Sequence, residues 1–262
     1  MYFAALATDY DGTIAEAGTV DGTTLEALKL VKASGRKLIL ATGRNLPDLL
    51  AVFPQIDLFD LVVAENGALL FDPATGEETL LAEPPSAAFV TRLQELGVSP
   101  LDVGKAIVAT LEPNEAAVLT AIRELGLELQ IIFNKGAVMV LPSNINKATG
   151  LKYALSRLRL SPHNVIGVGD AENDHAFLIA CGCGVAVENA IPAVKEKVDW
   201  ITKTPRGAGV VELAALLIES DLRVPGITAP RVTPSLGTQN DGTPIRLESF
   251  ETVLIAGSPG AG

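Results

Sequence analysis

The sequence predicts an α/β protein: a doubly wound, mostly parallel sheet core with an inserted small α+β cap. Three observations predict it. Short, near-continuous apolar runs at 3–8 (FAALAT), 37–41 (KLILA) and 60–64 (DLVVA) alternate with a helix-spaced pattern, as parallel strands covered on both faces do. The same alternation returns after residue 147. Between the two halves lies a stretch rich in paired strands, which reads as a separate unit placed over the first.

The first helix follows from Leu25, Leu28 and Val31 at helical spacing, with Gly35 placed to end it. In the middle, Phe89, Leu93 and Leu96 define a helix stopped by Gly97, and AIVAT (106–110) is a strand. A second helix starts near Pro113, with Val118, Ile122 and Leu125 on one face and Gly126 at its end. LQIIF (129–133) and AVMVL (137–141) flank Asn134-Lys135-Gly136, a hairpin turn. Leu151, Leu155 and Leu158 then line a helix, NVIGV (164–168), GVAV (184–187) and DWIT (199–202) are strands, and a helix from about Val210 to Glu219 closes this part. The expected boundaries are 1–80 and 144–220 for the Rossmann-like core and 81–143 for the cap. A Pro/Gly-rich linker follows at 221–250.

Composition excludes several classes. With 31 acidic against 20 basic residues and a net charge of −11, the chain is a poor partner for nucleic acid or anionic membrane, which need basic patches. Cys181 and Cys183 are one residue apart and cannot staple a fold. No stretch reaches the ~18 apolar residues of a membrane span. A cytoplasmic location is expected. His163 and His175 are too isolated for a histidine metal site, and GVGDAE has Glu172 where a dinucleotide fingerprint needs its third glycine.

The chemistry is expected where strands end. Asp9 and Asp11 follow the first strand in DYDGT, Thr42 follows the second in ATGR, and Asp170 and Asp174 follow a later one in GDAEND. Ligands of open α/β sheets bind at the carboxyl ends of the strands, so these loops should converge on one rim. Lys147 starts the helix that leads into the Asp170 strand. Four carboxylates on one rim repel each other, and an oxygen-only ligand set favours Mg²⁺. Together with a Thr hydroxyl and a Lys ammonium, they meet the needs of phosphoryl transfer.

DYDGT, ATGR, Lys147 and GDAEND, in that order, resemble the four motifs of the haloacid dehalogenase superfamily. The likeness covers roughly residues 1–220. The insertion between the second and third motifs, and ENGA at 65–68, are similar to its sugar-phosphate and phosphoglycolate phosphatase branches. The resemblance implies Mg²⁺-dependent hydrolysis of a small phosphorylated metabolite through an aspartyl phosphate. It implies that Asp9 attacks phosphorus, that Asp11 protonates the departing alcohol and then activates water, and that Thr42 and Lys147 hold phosphoryl oxygens. Metal would be held by Asp9, the Asp11 backbone carbonyl and Asp170, with Asp174 in the metal group. Asp174 and Asn173 would orient a bound water or Lys147. The expected substrate-binding residues are Thr42, Gly43, Arg44, Asn66, Lys147 and Asn173. Arg44 is as suited to pairing with a nearby carboxylate, and Asn66 stands in an Asn-Gly pair that is also an ordinary turn former. Lys135 falls in the hairpin turn and Lys152 one helical turn further on, so Lys147 is preferred as the phosphate lysine.

Two alternatives stay open: transfer of the phosphoryl group to a sugar hydroxyl by a phosphotransferase or mutase, and a non-enzymatic phosphate-sensing module of a larger ATPase. The second rests on GSPGAG (257–262), which follows TVLIA as the opening of a P-loop would. That reading makes 251–262 the truncated start of a C-terminal NTPase domain.

Overall fold

The computed structural model describes residues 2–224, Ile227, Ser235–Thr238 and Pro244–Arg246. In chain order the core begins with β1 (Ala5–Thr8), α1 (Gly22–Ala33), β2 (Lys37–Ala41), α2 (Leu46–Val52) and β3 (Leu61–Ala64), followed by the hairpin β4 (Leu69–Asp72) and β5 (Glu77–Leu80). A second unit follows: α3 (Ala87–Glu95), β6 (Asp102–Val103), β7 (Val108–Leu111), α4 (Glu115–Glu124), β8 (Leu129–Asn134) and β9 (Ala137–Pro142). The chain then returns to the core through α5 (Lys147–Leu158), β10 (Val165–Gly169), α6 (His175–Ala180), β11 (Cys183–Ala186), α7 (Pro192–Lys195), β12 (Trp200–Ile201) and α8 (Arg206–Ser220).

The core sheet has the order β12-β11-β10-β1-β2-β3-β4-β5. Strands from β12 to β3 run parallel, and β4 and β5 are antiparallel additions at one edge. Side-chain alternation divides the strands between two helical layers. Leu6, Leu38, Leu40 and Val62 pack with Leu28, Val31, Leu213 and Leu217 of α1 and α8. Ala7, Ile39 and Val63 pack with Leu151, Leu155 and Phe177 of α5 and α6 on the other face. This two-sided burial is why the strands read as unbroken apolar runs.

The second unit is a lid built on the four-stranded antiparallel sheet β6-β7-β9-β8. Val138 and Val140 of β9 face Phe89, Leu93 and Val118 of the lid helices. Met139 and Leu141 alternate to the opposite face, where they meet Ala68 of the core. The fold is therefore the doubly wound core with an inserted α+β cap.

The sequence reading lacks four core elements: α2, the β4–β5 hairpin, α6 and α7. The helices are only seven, six and four residues long, too short to establish a helical period. The strand β5 lies at the sheet edge and carries Glu77 and Glu78 rather than an apolar run. Within the stretch expected as a linker, Ser235–Thr238 and Pro244–Arg246 pair as antiparallel strands. The P-loop reading of 251–262 falls outside the described residues. Among the described residues no helix is long and apolar enough to cross a membrane.

One buried ion pair ties the end of α8 to the segments that lead into β1 and β2. Asp221, just past the helix, accepts from Arg36 Nη2 at 2.8 Å and from the main-chain N–H groups of Tyr2 and Phe3. Burial alone would raise the Asp221 pKa, but the Tyr2 N–H and the Arg36 guanidinium outweigh it and hold the carboxyl below the usual range. Asp221→Ala leaves the buried Arg36 without its counter-charge, and chemical denaturation should show a loss of about 3 kcal/mol at neutral pH. Because the folded-state pKa is depressed, this contribution is complete above the unfolded carboxylate value of about 4. It is lost as pH falls through the folded value, so the gap between variant and wild type should close in acid.

Candidate active site

The chain leaves β1, β2, β3 and β10 at the same end of the sheet. Asp9, Thr42, Glu65 and Asp170 are the residues immediately after those four strands. Strand order reverses at β1, with β2 on one side and β10 on the other, and such a switch point opens a crevice at the carboxyl ends. The predicted loops do meet there.

Lys147 is the first residue of α5, whose start is fixed by a reciprocal cap between Asn146 and Thr149. Its ammonium is 1% exposed and lies between two carboxylates, bonding Asp9 Oδ1 and, at 2.6 Å, Asp174 Oδ1. Burial alone lowers the Lys147 pKa, but Asp174 and Asp9 outweigh it and hold the group above the ordinary lysine range. Burial raises the Asp9 pKa above the ordinary carboxylate value, and the Asp174 charge adds to that. Asp174 already has three donors: Oδ1 accepts from Lys147, and Oδ2 accepts from the backbone N–H groups of Asp170 and Ala171 at 2.8 and 2.9 Å. It locks the loop that carries Asp170.

The donor set fits a hard divalent cation. Oxygens of Asp9, Asp170 and Asp174 all lie within 4.8 Å of one another and are buried. Three buried carboxylates face one buried ammonium, which leaves negative charge without a counterpart. A second ammonium marks the place. Lys135 Nζ, from the lid turn between β8 and β9, lies 2.5 Å from Asp170 Oδ2 and 3.2 Å from the main-chain oxygen of Asp11. Asp170 also accepts from Thr13 Oγ1 and Asn189 Nδ2, both at 3.3 Å. Burial raises its pKa, while Lys135 pulls in the opposite direction.

The remaining predicted residues take varied places. Asp11 lines the cavity, but its carboxylate is held by Arg44 in a two-point pair, Nε–Oδ2 at 2.6 Å and Nη2–Oδ1 at 2.8 Å. Arg44 also pairs with Asp48, one turn into α2. It thus answers two carboxylates of the protein. Thr42 is buried, and its hydroxyl accepts from the Arg44 N–H at 3.1 Å, leaving its own hydrogen to donate. Gly43 and Asn173 line the cavity, and Asn173 Nδ2 donates to Asn66 Oδ1 at 2.8 Å. Asn66 in turn donates to the Met139 sulfur of the lid. Asn173 Oδ1 is buried and has no bonded partner. The cavity itself, about 200 Å³, lies between the core rim and the lid sheet.

Two residues do more than the sequence shows. Lys135, a competitor of Lys147 for the phosphate role, reads as a turn residue. Glu65, quoted only within ENGA, is completely buried and spans the junction between core and lid: its carboxylate accepts from the N–H groups of Lys105, Ala106 and Ile107 at 2.9, 2.8 and 3.1 Å. Gly104 permits that approach, since a Cβ there would sit 2.7 Å from Glu65 Oε2. Glu65→Ala strands three lid N–H groups, of which those of Ala106 and Ile107 are buried and cost roughly 1–3 kcal/mol each when left unsatisfied. Hydrogen exchange should therefore accelerate at least ~10-fold at residues 105–107, with β1 unchanged. Equal protection in the variant would show that the lid is held by other contacts.

A family model described as haloacid dehalogenase-like hydrolase matches residues 6–97 and 105–213. A phosphoglycolate phosphatase of Archaeoglobus fulgidus is 29% identical over 221 residues, covering 81% of this chain and 96% of the relative. One from Methanothermobacter thermautotrophicus is 30% identical, covering 79% and 96%. Among solved structures, a haloacid dehalogenase-like hydrolase from Bacteroides thetaiotaomicron superposes with a TM-score of 0.69 at 18% identity, covering 82% of this chain and 99% of that one. A sugar phosphatase of subclass IIB superposes with a TM-score of 0.64 at 21% identity, covering 76% and 92%. With its strand-end carboxylates, its buried lysine and a family match over most of its length, the chain belongs to the haloacid dehalogenase-like hydrolases and is a phosphatase of that family.

Proposed function

We propose that the chain hydrolyses a small phosphate monoester, of the phosphoglycolate or sugar-phosphate class, through an aspartyl phosphate and with Mg²⁺ bound. The observation that carries this reading is the buried Lys147 ammonium held between Asp9 and Asp174 beside Asp170. The names of the curated relatives support the substrate class.

Asp9, Asp170 and the Asp11 main-chain oxygen would hold the metal, and Asp174 serves Lys147 and the Asp170 loop. Bound there, Mg²⁺ neutralises phosphoryl charge as a Lewis acid. An Asp9 oxygen forms a bond to phosphorus as the bond to the alcohol oxygen breaks, and Asp11 gives that oxygen a proton. Asp11 then takes a proton from water, whose oxygen displaces Asp9 and releases phosphate. Lys147 and the Thr42 hydroxyl bind the phosphoryl oxygens. Asp11 can act only when Arg44 yields it, which makes the Asp11–Arg44 pair a resting arrangement. The lid encloses the cavity and excludes water during attack. Both cysteines are buried thiols, which suits the reducing cytoplasm.

Phosphate release from a panel of small esters, with Mg²⁺ and with a chelator, tests this reading. Release that depends on Mg²⁺ is the expected result. Phosphoryl transfer to a sugar hydroxyl without release of phosphate would replace hydrolysis with the phosphotransferase alternative.

A further inference from the structure

We infer that Lys135 selects the substrate: its ammonium binds a carboxylate on the leaving group. The inference rests on the phosphate-ester reading above and narrows it to acids such as phosphoglycolate.

Charge around the cavity sets the requirement. The core side presents Asp9, Asp11 and Asp48, and the one cation lining it, Arg44, is already paired with two of them. The lid side presents Asp102, the amide of Asn134 and the apolar Ile107, Ala137 and Met139. A ligand with a second negative charge beyond its phosphoryl group therefore meets repulsion unless another cation enters. Among the described residues, Lys135 is the lid cation paired with a carboxylate of the site.

The position of Lys135 also follows from its turn. Lys135 and Gly136 both have positive φ, 49° and 84°, the pairing that a two-residue hairpin turn uses. Its side chain is 44% exposed and, among the described residues, Asp170 is the one carboxylate it pairs with. When Mg²⁺ holds Asp170, two cations at one carboxylate repel at close range, and the ammonium loses that partner. Its flexible four-carbon stem lets it pivot toward the cavity lined by its neighbours Asn134 and Ala137. Asn134 Oδ1 is buried without a bonded partner. Turning that amide over brings an N–H to the same carboxylate. The volume of about 200 Å³ is below the ~300–1,000 Å³ of drug-sized sites, so a two-carbon acid suits it.

The test compares the wild-type chain with Lys135→Met, which keeps an unbranched stem in the exposed turn, and Lys135→Arg. Two esters with the same two-carbon frame are used: 2-phosphoglycolate and 2-hydroxyethyl phosphate, in which a neutral hydroxymethyl group replaces the carboxylate. Losing one charge-assisted contact should lower kcat/KM for phosphoglycolate by about 10–100-fold, mainly through KM. The neutral ester should change less than about 3-fold, and Lys135→Arg should keep most of the preference. Equal loss on both esters, or no loss on either, overturns the assignment. Calorimetric binding of both esters in an Asp9→Asn background reads the same preference without turnover. If the wild type hydrolyses neither ester, the hydrolase reading fails; a preference in binding that vanishes with Lys135→Met would still uphold the lysine contact, and its absence would end both. Mg²⁺ titrated into the substrate-free variant should bind as tightly as wild type, or up to about 5-fold tighter, once the competing ammonium is gone. Weaker Mg²⁺ binding would show that Lys135 supports the metal, and would overturn the proposal.

Discussion

Asp9→Asn is expected to lower turnover of phosphate esters by roughly 10⁴–10⁶-fold, the scale on which removing a covalent nucleophile acts, while the fold survives. A carboxamide oxygen carries no ionised lone pair to attack phosphorus, yet it keeps the shape of the side chain. It can still accept from Lys147, which retains Asp174 as its charged partner. Steady-state phosphate release and a thermal melt, measured on the same preparation, separate these two effects. A variant that kept near wild-type turnover would remove Asp9 from the nucleophile's role. A collapsed melt would assign the lost rate to unfolding.

Lys147→Met should damage both stability and rate. The ammonium is 1% exposed and is the only buried cation between Asp9 and Asp174 among the described residues. Met fills a similar volume and leaves two buried carboxylates facing each other without compensation. Removing one partner of a buried pair costs about 3–5 kcal/mol, so denaturant titration should show a loss on that scale. Turnover should fall by at least ~10² as well, since the phosphoryl oxygens lose a charged donor. Full stability with lost activity would mean that the carboxylates take up protons or a cation at no cost, and that Lys147 serves the substrate alone.

Residues next to strand ends were the most legible part of the site. Buried parallel strands write themselves as apolar runs, so the positions of Asp9, Thr42 and Asp170 followed from where FAALAT, KLILA and NVIGV stop. Lys147 could be placed because it opens a helix with a clear apolar stripe at Leu151 and Leu155. What stayed hidden depends on partners far apart in the chain. Asp11 and Arg44 are 33 residues apart; a carboxylate partner for Arg44 is one of the sequence's two readings, but nothing local says that the partner is the prospective acid. Glu65 grips a lid segment 40 residues away, and ENGA alone reads as a turn. The turn position of Lys135 reads as structural in the sequence, whereas the turn is what carries it to Asp170. The three donors on Asp174 likewise appear only once the Asp170 loop has folded back over it.

All the charged groups that touch Lys147 belong to the core, whereas the lid enters and leaves the core between β5 and α5 as one continuous segment. With the proposed function and the proposed role of Lys135, reactivity and choice of substrate are written on separable lengths of chain. A chimaera that grafts a relative's lid between those two junctions, with Glu65 kept to receive its backbone, should inherit the donor's preferences and retain the recipient's intrinsic rate. Diversification within such a lineage can proceed by changing the cassette and leaving the engine alone.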